Sequence, residues 1–267
     1  MDRRSLCLLG LALAGAAQAA GTGVLQVCID ETPHTPWRLA APDGRLSGKG
    51  LEFEFLELLA TRGWDLQWRL RPWKRCMVEA QSGQVDLVMG ASHTAERAQV
   101  LRYPMTGDQP DAARAVRSDQ YQLVVRASQA ARWDGERLLL EGPQRMAVQL
   151  GFSSVKLAQA LGFEPEERAR TTQGVLEHLL RGQVPVALLL HTELQQFWRD
   201  EPGLAARLRL LDPPLAPRPY FLAASWQLSA RDPALLNKLW ADVATVRESA
   251  AYRALLERSR VETPEAQ

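Results

Sequence analysis

Short apolar runs alternate with segments of helical spacing along this chain, and the alternation occurs twice. Val24 to Ile29 is apolar, ends at Asp30 and empties into a loop marked by Pro33 and Pro36, as a buried strand does. Leu51 to Ala60 (LEFEFLELLA) has helical spacing and is stopped by Gly63; Leu66 to Leu70 follows as a strand. A second helix is expected from Trp73 to Gln81, ended by Gly83, and a third strand from Val85 to Met89. Strands separated by helices demand a mostly parallel sheet covered on both faces. The order then recurs: Arg145 to Leu150 as strand, Ser153 to Leu161 as helix, a strand near Arg168, Thr172 to Leu180 as helix and Val184 to Leu190 as strand. Pro213, Pro214, Pro217 and Pro219 mark an extended return crossing, followed by a strand at Tyr220 to Ala224 and two helices from Pro233 to Glu257. The expectation is two α/β lobes: the first from about 20 to 122 and 216 to 267, the second from 123 to 215, with crossings near Tyr121 and the proline segment.

Residues 1 to 20 have the form of an export signal: Arg3 and Arg4, the apolar run Leu6 to Gly15, and an A-x-A cleavage site at Ala17-Gln18-Ala19. The run is too short to span a bilayer, and Cys7 lies inside it without the small residues of a lipid-attachment site. A cleaved, periplasmic monomer is expected. Lys+Arg number 32 and Asp+Glu 31, so there is no sequence-wide basic field for nucleic acid, and a small-molecule ligand is the expected partner. After cleavage only Cys28 and Cys76 remain. In an oxidising compartment they are read as a disulfide, the other reading being two buried, unreactive thiols.

Four segments carry a family resemblance. They are the turn Asp43-Gly44-Arg45-Leu46-Ser47-Gly48; Gln81-Ser82-Gly83-Gln84-Val85-Asp86; Gly90-Ala91-Ser92-His93-Thr94-Ala95-Glu96-Arg97, similar to a G-x-S-x-T-x-E-R signature; and Val148-Gln149-Leu150-Gly151-Phe152-Ser153-Ser154. In this order they resemble the family 3 extracytoplasmic solute-binding proteins of ABC importers. The resemblance implies a type II periplasmic-binding fold, two α/β lobes joined by a two-segment hinge, and an ABC permease as partner. It implies ligand contacts at Gly90, Ser92, Thr94 and Arg97 on one lobe and at Gly151, Ser153 and Ser154 on the other, with Arg97 holding a carboxylate. A planar guanidinium fork suits that task; the plainer alternative is a surface ion pair with Glu96. Ser153 and Ser154 are equally suited to capping the helix that follows. Trp37 matches an aromatic that packs on the ligand, or else fills the core. Trp73 and Arg75, in Pro72-Trp73-Lys74-Arg75, face the cleft, or else the segment simply opens a helix with Lys74 and Arg75 in solvent.

Two departures bear on the ligand. The acid that usually follows the G-x-V-D-A strand is missing from Gly182 to His191, with His191 near its place, and Gly48-Lys49-Gly50 has no carboxylate. An acid without an ammonium, or an aromatic ligand, fits as well as an α-amino acid. His34, His93 and His191 fall at or beside ligand positions, yet no H-x-x-x-H spacing marks a metal, so neither metal nor cofactor is expected; His178 is expected exposed on its helix. The expected function is periplasmic capture of a small, carboxylate-bearing solute for an ABC importer, without catalysis. The rival readings are an enzyme on the same scaffold, in which Arg97 holds substrate while His191 or Glu193 moves a proton, and a sensory partner of a membrane receptor.

Overall fold

The computed structural model describes residues 23–261; the export signal read at residues 1 to 20 lies outside them. Strands Leu25–Asp30 (β1), Leu66–Arg71 (β2) and Leu87–Ser92 (β3) alternate with helices Leu51–Ala60 (α1) and Trp73–Gln81 (α2). β1 pairs in parallel with both β2 and β3, as the helical crossovers require. The chain continues through a one-turn helix Ala95–Ala98 (α3), strand Leu101–Arg102 (β4), a small hairpin Met105–Thr106 (β5) and Gln109–Pro110 (β6), and strand Arg117–Asp119 (β7).

A second sheet begins at Tyr121–Arg126 (β8). A hairpin follows, Ala131–Trp133 (β9) with Leu138–Leu140 (β10), then Arg145–Gln149 (β11), Ser154–Ala160 (α4), Glu164–Ala169 (β12), Thr172–Leu180 (α5), Val186–Leu190 (β13), His191–Asp200 (α6), Pro202–Ala205 (α7) and Leu208–Leu211 (β14). The chain returns through Arg218–Ser225 (β15) and closes with Trp226–Arg231 (α8), Pro233–Arg247 (α9) and Ala250–Val261 (α10). The first sheet runs β2-β1-β3-β15-β4 with β7 on β15; the second runs β12-β11-β13-β8-β14. The chain changes sheet at Gln120 and again across residues 212–217.

The strand that enters each sheet from a crossing runs against its neighbours. β15 is antiparallel to β3, β4 and β7, and β8 is antiparallel to β13 and β14. The sheets are therefore mixed, because a strand delivered by a crossing owes its direction to the neighbouring lobe and not to a covering helix. Each sheet is covered on both faces. Phe55, Leu59, Trp240 and Tyr252 pack under α1, α9 and α10, while Cys28, Cys76, Val88 and Phe221 fill the opposite face. In the second lobe Met146, Phe163 and Leu188 lie on one side, and Val175, Leu179 and Phe197 on the other. Cys28 and Cys76 are disulfide-bonded, joining β1 to α2 inside the core. A loop of that length is worth up to about 4 kcal/mol in the chain-entropy account. Among the described residues no helix is long and apolar enough to cross a membrane.

Candidate functional site

The carboxyl ends of β1, β3 and β11 meet where the chain changes sheets, and such switch points leave a crevice. A cavity of about 40 Å³ sits there. Asp30, Arg38, Arg117 and Tyr220 line it from the first lobe, beside Trp73, Ser92 and Arg97; Tyr121, Gly151, Phe152 and Ser153 line it from the second.

Arg97 is placed by α3, whose N-terminus is capped by Thr94: its hydroxyl accepts from the Arg97 backbone N–H at 3.1 Å. The guanidinium donates through Nη1 to Ser92 Oγ (2.6 Å) and to the Ser92 carbonyl (3.2 Å). Through Nη2 it crosses the cleft to the Gly151 carbonyl at 3.1 Å. It also stacks on Trp73, 4.5 Å from the ring centroid. All these partners are neutral, and among the described residues no carboxylate pairs with it. Burial lowers the pKa of this guanidinium. A desolvated cation held only by dipoles is one anion short of compensation.

The rest of the first-lobe wall is an ion network. Arg38 Nη1 holds Glu52 Oε2 at 2.9 Å, and its Nη2 stands 3.9 Å from Asp30. Arg117 lies 3.6 Å from Glu52 Oε1 and 3.6 Å from Asp119, sandwiched between Trp37 (4.4 Å) and Tyr220 (4.0 Å). Gly90 makes room for it: at φ 69° a Cβ there would stand 2.7 Å from Glu52 Oε1. Burial raises the Asp30 pKa, with Arg38 opposing it.

The second-lobe wall is mostly neutral, its Tyr121 and Ser153 hydroxyls 3.3 Å apart. One acid lies behind it. Glu193, in the first turn of α6, accepts from Thr172 and, at 3.4 Å, from the Gln149 amide. Its Oε1 stands 3.2 Å from His34 Nε2 of the other lobe. Burial pushes Glu193 up to about 7, and burial together with Arg117 and Arg38 holds His34 well below its ordinary value. Next to it Thr192 donates to Asp119 at 2.5 Å and accepts from Trp37 Nε1 at 3.5 Å, so α6 also joins the second lobe to the first.

Of the residues anticipated from sequence, His34, Trp73, Gly90, Ser92, Arg97, Gly151 and Ser153 line this cavity. The others do not. Trp37 turns its face to Arg117, whose cation draws the ring away from the cavity. Thr94 caps α3. Ser154 is fully buried under the first turn of α4, and Ser153 makes no capping bond there. His191 opens α6 with its ring turned between Gln122 (3.3 Å) and Gln195 (2.8 Å). His93 stacks edge-on against Tyr103, and His178, expected exposed, is half-buried and bonded to Glu166 at 3.0 Å. Arg97 forms no pair with Glu96, and Arg75 pairs with Glu79 on its own helix at 2.9 Å. Among the described residues no three His, Cys, Asp or Glu side chains form a group able to hold a metal.

The sequence reading missed Asp30, Arg38, Arg117, Tyr121 and Tyr220, and it treated the second-lobe acid as absent although Glu193 stands two residues beyond His191. A signal for the network was present: Glu52 sits among apolar residues at the start of α1, a place where an acid is buried only with partners.

A two-lobed α/β protein with its site at the crossing of mixed sheets has the type II periplasmic-binding fold. The chain belongs to the bacterial extracellular solute-binding proteins, family 3, whose sequence model matches residues 25–259. Among solved structures it is similar to a histidine kinase sensor domain with similarity to periplasmic binding proteins (18% identity, 90% of this chain and 96% of that one, TM-score 0.68). It is also similar to an amino acid ABC transporter substrate-binding protein from Streptococcus pneumoniae bound to L-arginine (19%, 91% and 97%, TM-score 0.67). A third is a putative binding component of an ABC transporter from Wolinella succinogenes complexed with lysine (18%, 88% and 95%, TM-score 0.67). At these identities the likeness is one of fold. Comparison with curated proteins finds no match.

Proposed function

We propose that the protein captures a small carboxylate-bearing solute, an amino acid or a related organic acid, between its lobes in the periplasm and presents it, as a monomer, to an ABC permease. The observation that carries this reading is Arg97: half-buried in the cavity wall, bonded to both lobes and, among the described residues, without a carboxylate partner. An entering carboxylate supplies the missing charge, and the bond to Gly151 ties its capture to lobe closure. The cavity, about 40 Å³, suits a compact solute. Asp30 gives the amino-acid option a basis, since its nearest cation stands 3.9 Å off and leaves it free to meet a ligand ammonium.

Thermal-shift and calorimetric titration of the mature protein against amino acids, hydroxy acids and keto acids test the reading. A ligand at about a hundred times its Kd adds about 2.7 kcal/mol of stability. Arg97→Ala is expected to weaken binding by roughly 2–5 kcal/mol, the cost of truncating one partner of a buried charge pair. Asp30→Asn weakens only ligands that carry an amine. If no carboxylate shifts the wild type, or Arg97→Ala binds as well, the reading falls.

A second reading, proton-transfer catalysis, has one observation in its favour: Glu193 is held near 7 beside His34, a value suited to a general acid at neutral pH. Turnover of a small acid that Glu193→Gln abolishes would put this reading first.

A further inference from the structure

A second cavity, of about 350 Å³, opens on the far side of Trp37 from the inner one. Both lobes wall it. α6 contributes Thr192, Gln195 and Arg199; the first lobe contributes Trp37, Arg247 of α9 and Tyr252 of α10. Arg117 is the partition, lining both cavities.

Its charge is one-sided. Among the described residues no carboxylate lines it, and three guanidinium groups do. Arg117 is matched by Glu52 and Asp119, but among the described residues no acid pairs with the other two. Arg199 donates to Gln196 at 3.0 Å, and its Nε is buried without a hydrogen-bond partner. Among the described residues Arg247 reaches backbone carbonyls alone, those of Ala112 (2.5 Å) and Ala115 (3.5 Å). Tyr252, 2% exposed, has a hydroxyl with no partner. Burial pushes that hydroxyl up to about 12, so at neutral pH it keeps its proton and donates. Pro36, Leu51, Val116 and Leu256 supply an apolar floor, with Ser118 and Ser259 beside it. Unmatched cations and an unused donor over an apolar floor suit an anion whose body is itself apolar.

We propose that this outer cavity is a second binding site, taking a small organic anion with an aromatic or aliphatic body, its acid group toward Arg199 and Arg247. Because the walls belong to different lobes, such a ligand binds only when they meet, and it favours closure. Where the inner site works as proposed above, each ligand then tightens the other, by about 5–150-fold for couplings of ordinary size. The outer site itself does not depend on that reading.

The test uses the full mature protein with benzoate and 1-naphthoate as probes and inorganic sulfate as an anion without an apolar body, titrated calorimetrically at fixed ionic strength. Expected is saturable binding of one aromatic acid per chain, kept within about threefold in Arg97→Ala and weakened at least about tenfold in Arg199→Gln/Arg247→Gln, one decade being about 1.4 kcal/mol. Tyr252→Phe weakens it by a smaller factor. Should the double variant melt abnormally, Arg199→Gln alone gives the same comparison. The proposal is overturned if neither acid binds, if binding vanishes in Arg97→Ala yet survives the double variant, or if sulfate binds as tightly as naphthoate. A failure of the inner-site reading shows separately, as an absence of any ligand whose binding needs Arg97.

Discussion

The two walls of the cleft are built on opposite plans. The first-lobe wall is charged and already matched: Arg38, Glu52, Arg117 and Asp119 hold one another within 3.6 Å, Gly90 makes room for them, and a disulfide ties β1 to α2 behind them. Arg97 alone is left over. The second-lobe wall offers neutral groups, the Gly151 carbonyl and the hydroxyls of Tyr121 and Ser153, with Glu193 behind it. A wall of fixed, mutually satisfied charges is organised before a ligand arrives. A neutral wall closes over that ligand without stripping further ions of water. On the proposed function, recognition belongs to the first lobe and closure to the second.

The largest effect that would break this comparison is at Glu52. Glu52→Ala leaves Arg38 and Arg117 short of a buried partner, and unfolding in urea should show a loss of roughly 3–5 kcal/mol. A loss under 1 kcal/mol would mean that the network is not what organises the wall. Next is the disulfide. Replacing Cys28 and Cys76 by Ala should cost roughly 2–4 kcal/mol and destabilise the first lobe ahead of the second, as read by hydrogen exchange; uniform loosening of both lobes contradicts the contrast.

The pH response concerns the one acid of the second wall. Glu193 is raised from 4.5 to about 7, so its contribution is whole below pH 4.5 and is lost as the pH rises through 7. His34 is lowered from 6.5, so its contribution is whole above pH 6.5 and is lost as the pH falls below that. Between 4.5 and 6.5 the two slopes oppose each other, and the pair holds one proton across the cleft. Glu193→Gln removes the Glu193 slope and keeps that of His34. The wild type should therefore gain on the variant toward low pH, by up to about 3 kcal/mol between pH 8 and 4.5. Equal urea midpoints for the two proteins across that range would remove Glu193 from the account. The smallest effect sharpens the contrast: Tyr121→Phe deletes one hydroxyl contact of the neutral wall and should cost about 0.5–1.5 kcal/mol in the same urea assay.

Much of the fold was legible before the structure. α1, α2 and α5 lie where apolar periodicity and stopping glycines put them, and the strands of the helical crossovers are displaced by up to three residues at their ends. α6 was missed because HTELQQFWRD buries only Glu193, Leu194 and Phe197, too sparse a stripe to register. β8 was passed over as a crossing, although all but its last residue is buried. At the site, the motif around Arg97 located one cation, but Arg38 and Arg117 belong to no motif and come from distant segments.

By itself the sequence determined the two α/β units, the pairing of Cys28 with Cys76, and the cation of the cleft. Those follow from local periodicity and residue chemistry, which act over a few turns of chain. The tertiary structure alone decided that β8 and β15 run antiparallel, that Trp37 and His191 turn away from the cavity, and that Glu193 meets His34. Each of these depends on segments far apart in sequence being buried together, where desolvation and pairing, not local propensity, set the free energy.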